Sequence, residues 1–209
     1  MDFSDLRRDF GKYTFNPEKA PEQPDLLFAE WLAKAKDAKI DEFNAMVLST
    51  VNKKGYPSSR IVLLKDFNTG LPLFFTNYES KKGTELKENP NASLLFFWKE
   101  LERQVRIEGE VKKISYDQSN AYFKSRPLES QWSAIASPQS KVIGHISEIS
   151  DSIQSLRESQ HTHECPSYWG GYQLIPNYFE FWQGGSHRLH HRLCYTLENK
   201  KWVKMQLAP

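Results

Sequence analysis

Apolar positions first recur with a helical period over residues 25–39. Leu27, Phe28, Trp31, Leu32, Ala35 and Ala38 fall on one stripe, with Lys34, Lys36, Asp37 and Lys39 on the other side. The preceding residues 1–24 are polar and punctuated by Pro17, Pro21 and Pro24, which predicts an arm rather than a core element. After the helix the pattern turns to strands. Residues 45–51 are apolar and β-rich, 52–55 (Asn-Lys-Lys-Gly) make a turn, 59–64 a second strand, 68–70 (Asn-Thr-Gly) a second turn, and 71–77 a third strand. Loops this short favour antiparallel hairpins. Residues 80–87 read as a short basic helix stopped by Pro90. Residues 92–98 and 101–114 are two more strands. In the second, Val105, Ile107, Gly109 and Val111 alternate with Arg106, Glu108 and Glu110.

Ser115-Tyr-Asp-Gln118 has the form of a capping box and opens a helix to about Arg126, with Tyr122 and Arg126 on one face. Pro127 breaks or kinks it, and Ser130 continues that face if a helix resumes directly. Residues 145–160 form an amphipathic helix with Ile146, Ile149, Ile153 and Leu156 on one stripe, and 160–167 a loop. Strands return at 169–174, 178–183, 188–197 and 202–206. Gly184-Gly185 reads as a turn requiring positive φ. Beyond it, Arg188, His190 and Arg192 at i, i+2 and i+4 project from one face of the predicted strand. A solvated basic edge strand is the alternative reading of that trio. Five antiparallel strands with one inserted helix predict an α+β fold built on a barrel. No Gly-x-Gly-x-x-Gly follows a strand, so a dinucleotide-binding Rossmann site is unsupported.

Composition narrows the function classes. A chain of 209 residues suits one domain, here 25–209 behind the arm, and 39% apolar with 13% aromatic residues is enough for a core. The net charge of +2 excludes polyanion binding by the chain as a whole, so any basic site arises from local clustering. Cys165 and Cys194 make no disulfide framework and the N-terminus has no apolar signal region, which predicts a cytoplasmic protein. No window approaches the roughly 18 apolar residues of a membrane helix.

The candidate chemistry lies in cation clusters. Arg60 and Lys65 flank Ile61, Val62, Leu63 and Leu64; a phosphate or ordinary salt bridges would account for them. Lys81 and Lys82 open a helix, where free backbone N–H groups add to a phosphate pocket unless the turn is simply solvated. Tyr122, Arg126 and Ser130 offer a phenol, a guanidinium fork and a hydroxyl that suit a phosphate clamp. His161, His163 and Cys165 alternate as metal ligands would, but a polar loop is the simpler reading and no metal is expected. There is no Gly-x-Ser-x-Gly, and neither cysteine has a local base. Two phosphate-bearing molecules fit the separate clusters better than one, and Trp182 with Gln104 suits a planar heterocycle.

Arg60-Ile-Val-Leu-Leu-Lys65, Phe75-Thr-Asn77, Leu101-Glu-Arg-Gln-Val105, Tyr122-Phe-x-Ser-Arg-Pro127, Gln139-Ser140, Trp169-Gly-Gly171 and Phe181-Trp-Gln-Gly-Gly-x-His-Arg-Leu-His190 with Arg192 resemble the pyridoxine/pyridoxamine 5′-phosphate oxidase family from about residue 5 to Pro209. The resemblance implies an FMN-binding split β-barrel working as a homodimer with FMN at the subunit interface, residues 167–209 forming dimerisation and active-site strands. It implies FMN contacts from Arg60, Ile61, Val62, Leu63, Leu64, Lys65, Phe75, Thr76, Lys81, Lys82, Gln104, Gln139, Ser140, Trp182 and Arg192. Substrate contacts would come from Arg7, Arg8, Asp9, Phe10, Lys65, Tyr122, Arg126, Ser130, Arg188, Leu189 and His190, with Arg188 and His190 as the catalytic pair. The implied reaction oxidises pyridoxamine or pyridoxine 5′-phosphate to pyridoxal 5′-phosphate, with O2 as acceptor and H2O2 as product. The alternatives are a flavin reductase-like or pyridoxal phosphate-binding split-barrel protein without oxidase activity. Three positions depart from the family pattern: Phe10 replaces a usual Tyr, Lys81 a common Arg, and His191 a frequent Asp.

Overall fold

The computed structural model describes residues 1–5, 9–159 and 164–209. The helix α1 (Pro24–Asp37) starts with Pro at its first position, where the missing N–H has no intrahelical partner to lose. Three strands follow, β1 (Ala45–Val51), β2 (Pro57–Leu63) and β3 (Leu73–Asn77), then α2 (Lys81–Glu88), β4 (Asn91–Trp98) and β5 (Arg103–Lys113). Next come α3 (Tyr116–Ser125), α4 (Leu128–Ala136), α5 (Ser147–Glu158), β6 (Trp169–Gln183), β7 (His191–Glu198) and β8 (Lys201–Leu207). The strands form one antiparallel sheet in the order β2-β1-β4-β5-β6-β7-β8, with β3 paired to the first part of β6. This is the expected α+β barrel architecture, split because β3 sits off the main path. Among the described residues no helix is long and apolar enough to cross a membrane.

Alternation builds the core. Met46, Leu48, Leu94, Phe96, Val105, Ile107, Phe179 and Phe181 point inward from adjacent strands and pack on Leu27, Phe28 and Trp31 of α1. Phe28 meets Phe67 and Phe96, and Trp31 meets Phe181 edge-on at 5.3 Å. The arm is less separate than its composition suggests. Phe15 packs edge-on against Trp31, and Ala20 is buried in the core.

Two expectations are corrected. The two strands predicted at 169–174 and 178–183 are one strand, β6, because the long β5 pairs along its whole length. The register shifts between Glu108 and Gly109, which leaves Asn177 as the extra residue of a bulge in β6 beside Pro176, a residue without a ladder donor. Gly109 is required there, since a Cβ would lie 2.1 Å from the Ile175 carbonyl oxygen. The strand predicted from Arg188 begins at His191 instead. Ser186–Arg188 is a 3-10 turn with His187 at φ 54° and Arg188 at φ 62°, so Arg188, His190 and Arg192 do not share a strand face. The apolar stripe of α5 is only half covered: Ile149, Ile153 and Leu156 are partly buried and Ile146 is exposed.

Candidate active site

A cavity of about 1060 Å³ opens between β2, β3, the start of α2 and the α3–α4 corner. Each cation reaches it for a local reason. Arg60 lies opposite Leu48 in the β1–β2 register; its Nη1 donates to the Leu48 carbonyl (3.1 Å) and its Nη2 to Ser58 Oγ (2.6 Å). Ser80 caps α2 by accepting from the Gly83 N–H, which sets Lys81 and Lys82 in the first turn. Gly83 is needed because a Cβ would sit 2.2 Å from the Tyr78 carbonyl oxygen. Behind this group lies Glu85, 3% exposed. Its Oε2 accepts from Thr50, Ser58 (2.7 Å) and Arg60 (3.3 Å), and its Oε1 from Lys81 (2.8 Å). Burial alone would raise this carboxyl, but the hydrogen bonds from Lys81, Thr50 and Ser58 outweigh it and hold it down at about 2.

Lys82 is different. Its ammonium donates to neutral oxygens, Thr76 Oγ1 and Gln139 Oε1, both at 3.0 Å. Burial, then the neighbouring Arg60 charge, push its pKa down to about 8.

The α3–α4 corner forms another wall. The capping box at Ser115 is present, with Ser115 and Gln118 bonding reciprocally. The face shared by Tyr122, Arg126 and Ser130 is realised across a break: Arg126 caps α3 with ψ 153°, and α4 resumes after Pro127. Tyr122 stacks on Phe75 at 3.8 Å, Phe75 stacks on Trp169, and the Arg126 guanidinium lies 4.7 Å from the Trp169 ring centroid. Arg126 Nη1 is buried without a hydrogen-bond partner. The cavity wall thus carries Arg60, Lys65, Lys81, Lys82 and Arg126 and no carboxylate. Such a donor set, with one guanidinium nitrogen left unsatisfied, fits phosphate-bearing ligands.

The remaining expected residues lie elsewhere. Leu64 is in the core, 5% exposed, and does not line the cavity. Gln104, Trp182 and Arg192 are direct cross-strand neighbours on β5, β6 and β7. Between Arg192 and the cavity strand β2 lie four strands, roughly 24 Å along the sheet at the usual strand spacing. Beside this row, Trp182 packs against His190 at 4.8 Å, and Phe10 meets both rings edge-on. Asp9 Oδ1 accepts the His187 N–H at 3.3 Å. Arg188 and Leu189 are exposed on the turn before β7. Arg7, Arg8, His161 and His163 lie outside the described residues, and Cys165 is a buried thiol bonded to the Trp169 carbonyl. One chain therefore presents the expected residues in two separate clusters, a cationic cavity and an aromatic row.

The glycine pair departs from its expected role. Neither Gly184 nor Gly185 has positive φ. A Cβ on Gly184 would lie 2.8 Å from Phe10 Cβ, and one on Gly185 would lie 2.2 Å from the Leu189 carbonyl oxygen. Close approach, not backbone handedness, demands glycine here.

Sequence reasoning passed over Trp169 as a wall residue and the buried carboxylates Glu85, Glu102 and Glu180. Lys81 and Glu85 at i, i+4 were the available signal for the first. Glu102, at φ 53°, accepts the Gly11 and Lys12 N–H groups on its carboxylate and the Gly184 N–H on its carbonyl, tying arm to turn. Nothing local in the sequence marks that role.

Two family models match the chain. One, described as pyridoxamine 5′-phosphate oxidase, matches residues 32–160; the other, the pyridoxine 5′-phosphate oxidase C-terminal dimerisation region, matches residues 169–209. A pyridoxine/pyridoxamine 5′-phosphate oxidase of Thermosynechococcus vestitus is 45% identical over 208 residues, covering 99% of this chain and 98% of the relative. One of Legionella pneumophila (strain Paris) is 46% identical over 211 residues, covering 99% and 97%. Among solved structures, PhzG from Burkholderia lata 383, in complex with tetrahydrophenazine-1-carboxylic acid, superposes with a TM-score of 0.91 at 29% identity, covering 95% of this chain and 99% of that one. A pyridoxamine 5′-phosphate oxidase-related, FMN-binding protein from Nostoc punctiforme PCC 73102 shares the fold, with a TM-score of 0.69 at 16% identity, covering 91% and 98%.

Proposed function

The chain belongs to the pyridoxamine 5′-phosphate oxidase family, and from that membership we propose that it oxidises pyridoxamine and pyridoxine 5′-phosphates to pyridoxal 5′-phosphate, with FMN as cofactor and O2 as electron acceptor. Pyridoxine 5′-phosphate and O2 give the aldehyde and H2O2; the amine also consumes water and releases ammonia. The observation that carries the reading is the cavity: five cations, no carboxylate in its wall, and a buried Arg126 nitrogen without a partner.

The protein is a homodimer, and its C-terminal strands match the family's dimerisation region. An interface site explains why the expected FMN residues divide into two groups. Arg60, Ile61, Val62, Leu63, Lys65, Phe75, Thr76, Lys81, Lys82, Gln139 and Ser140 would hold FMN from one subunit, and Gln104, Trp182 and Arg192 from the other. The outer sheet face between the half-sites is suited to a second copy, because Ile61 and Phe97 stand exposed there. These residues fit FMN: its phosphate would relieve the unfavourable charge on Lys82, and the indole of Trp182 suits a flat ring.

When bound, FMN supplies the two-electron acceptor that takes hydride from substrate C4′ and passes electrons to O2. The chain does the rest. Lys65, Tyr122, Arg126 and Ser130 bind the substrate phosphate, and the unpartnered Arg126 nitrogen gains its acceptor there. Arg188 orients the pyridine ring with its planar guanidinium and polarises the C4′ substituent. The Gly185 N–H donates to His190 Nδ1 (3.1 Å), which leaves the proton of the neutral ring on Nε2. His190 therefore faces substrate as a donor, from Nε2, to the C4′ oxygen or nitrogen. Phe10, Asp9 and Glu102 hold the arm over this turn. We place the enzyme in the cytoplasm, where its two free cysteines stay reduced.

The test is reconstitution with FMN followed by a peroxide assay on pyridoxamine 5′-phosphate. The expected result is a yellow protein that yields H2O2 and pyridoxal 5′-phosphate in equal amounts. A yellow protein that makes no peroxide from either substrate would be a flavin-binding relative without oxidase activity. Absence of a flavin spectrum after FMN addition would sink every flavin reading.

A further inference from the structure

Arg192 is held more tightly than a surface arginine on a strand needs to be. Its Nε and Nη2 both lie 2.9 Å from Glu180 Oε1, and its Nη1 donates to the Ala208 carbonyl oxygen at 2.9 Å. Two of the five N–H groups of the guanidinium are thereby used in hydrogen bonds, and Nη2 is held in ion-pair contact.

Glu180 is 5% exposed in the middle of β6, and its other oxygen accepts from Arg106 Nη2 (2.7 Å) and the Tyr178 hydroxyl (3.0 Å). Arg106 has a second carboxylate in Glu108, 3.1 Å away, whereas among the described residues Arg192 has Glu180 alone. Removing Glu180 thus leaves Arg192 without a carboxylate among the described residues, while Arg106 loses one bond and keeps Glu108. The register explains the geometry: Glu180 faces Arg106 and Cys194, and Trp182, two residues on along the same face, faces Arg192. On the other side Leu207 pairs with Arg192, so the chain leaves β8 with the Ala208 carbonyl beside the guanidinium. Pro209 restricts Ala208 to extended conformations and keeps that carbonyl in place.

We propose that Glu180 and the terminal Ala208-Pro209 are positioning residues of the flavin site, fixing the Arg192 fork in advance of cofactor binding. This rests on the assignment of Arg192 to FMN. A free arginine would have to be ordered when FMN binds; one already clamped loses no rotamer freedom at that step. Ala208 and Pro209 thereby act on cofactor affinity although they touch no core.

The experiment is FMN titration of the apoprotein, followed by flavin fluorescence, together with apoprotein melting. The variants are Glu180→Gln, the pair Ala208→Gly with Pro209→Gly, Arg192→Ala, and each of the first two combined with Arg192→Ala. Glu180→Gln is expected to weaken FMN roughly tenfold, as for loss of a charge-assisted bond. The tail pair is expected to weaken it about threefold with melting unchanged, since only backbone freedom is altered. In the Arg192→Ala background neither change should weaken binding further. A merely structural role would give additive losses there, which would overturn the proposal, as would a tail variant that binds FMN like the parent. Should Glu180→Gln fail to fold, the tail pair decides. If Arg192→Ala itself leaves FMN affinity unchanged, the assignment of Arg192 to the flavin falls, and the proposal with it.

Discussion

The Gly185 N–H and His190 Nδ1 are hydrogen-bonded at 3.1 Å across the turn that precedes β7. The bond occupies Nδ1 and leaves Nε2 as the nitrogen that, in the proposed reaction, serves as a donor toward substrate. A side chain that keeps a donor near Nε2 should keep part of the function. His190→Gln, whose amide nitrogen reaches that position, is predicted to retain roughly tenfold more kcat than His190→Ala, as expected for one positioned proton donor. Equal loss in both, at equal FMN content, would show that the donor at Nε2 is not used.

Lys82 links anion binding to protons. Its pKa lies near 8 in the unliganded protein because burial and Arg60 oppose its charge. Since the folded value is depressed, charging Lys82 costs stability below about pH 8, and the cost fades as pH rises toward the ordinary 10.5. A bound phosphate restores the charge, so FMN binding should take up protons, with the greatest uptake between about pH 8 and 10. Calorimetry in two buffers of different ionisation enthalpy measures this directly. Lys82→Met should abolish the uptake and weaken FMN; uptake unchanged in that variant would exclude Lys82 as its source.

Glu85 has the opposite sign. With its carboxyl held at about 2 against the ordinary 4.5, it contributes stability that is complete above about pH 4.5 and is lost as pH falls toward 2. Glu85→Ala leaves Arg60 without its buried carboxylate and is predicted to cost about 3 kcal/mol at neutral pH. In urea unfolding, the gap between parent and variant should close between pH 4.5 and 2. A gap independent of pH would mean that packing, not charge, is what Glu85 supplies.

Gly184 reports the arm. An added Cβ would lie 2.8 Å from Phe10 Cβ and 3.1 Å from Glu102 Cβ, so the arm must shift. Gly184→Ala is predicted to raise KM for the phosphorylated substrate several-fold, about 1 kcal/mol of lost binding, while FMN content holds. Phe10→Ala in the same chain should relieve most of that effect. Strictly additive losses would show that the arm is not what Gly184 makes room for.

The α1 stripe, the strand alternation and the capping box at Ser115 were legible because they are local and periodic. The cation clusters were legible as clusters, and the cavity joins three of them. The turn at Ser186–Arg188 was not: Arg188, His190 and Arg192 have a strand's spacing, and nothing in two non-glycine residues announces positive φ. Pro176 looked like a strand end, because the bulge beside it, with Asn177 as the extra residue of β6, forms only in register with β5. Glu180 and Glu102 escaped notice because their partners are brought near only by the sheet register and the packing of the arm, and Glu85 because only Lys81 among its partners is local. The division of the site between two surfaces was equally hidden, since distance across a sheet is not written along a chain.

That division is the central claim, and mixed dimers test it. Arg126→Ala disables the cavity, and Arg188→Ala disables the turn beside the aromatic row. Each variant dimer should be nearly inactive alone. A site built from two subunits predicts that mixing and reassociating them in equal amounts restores about a quarter of parental peroxide production, because half the dimers are mixed and each holds one intact site. A site contained in one chain predicts no recovery, and that result would contradict the account.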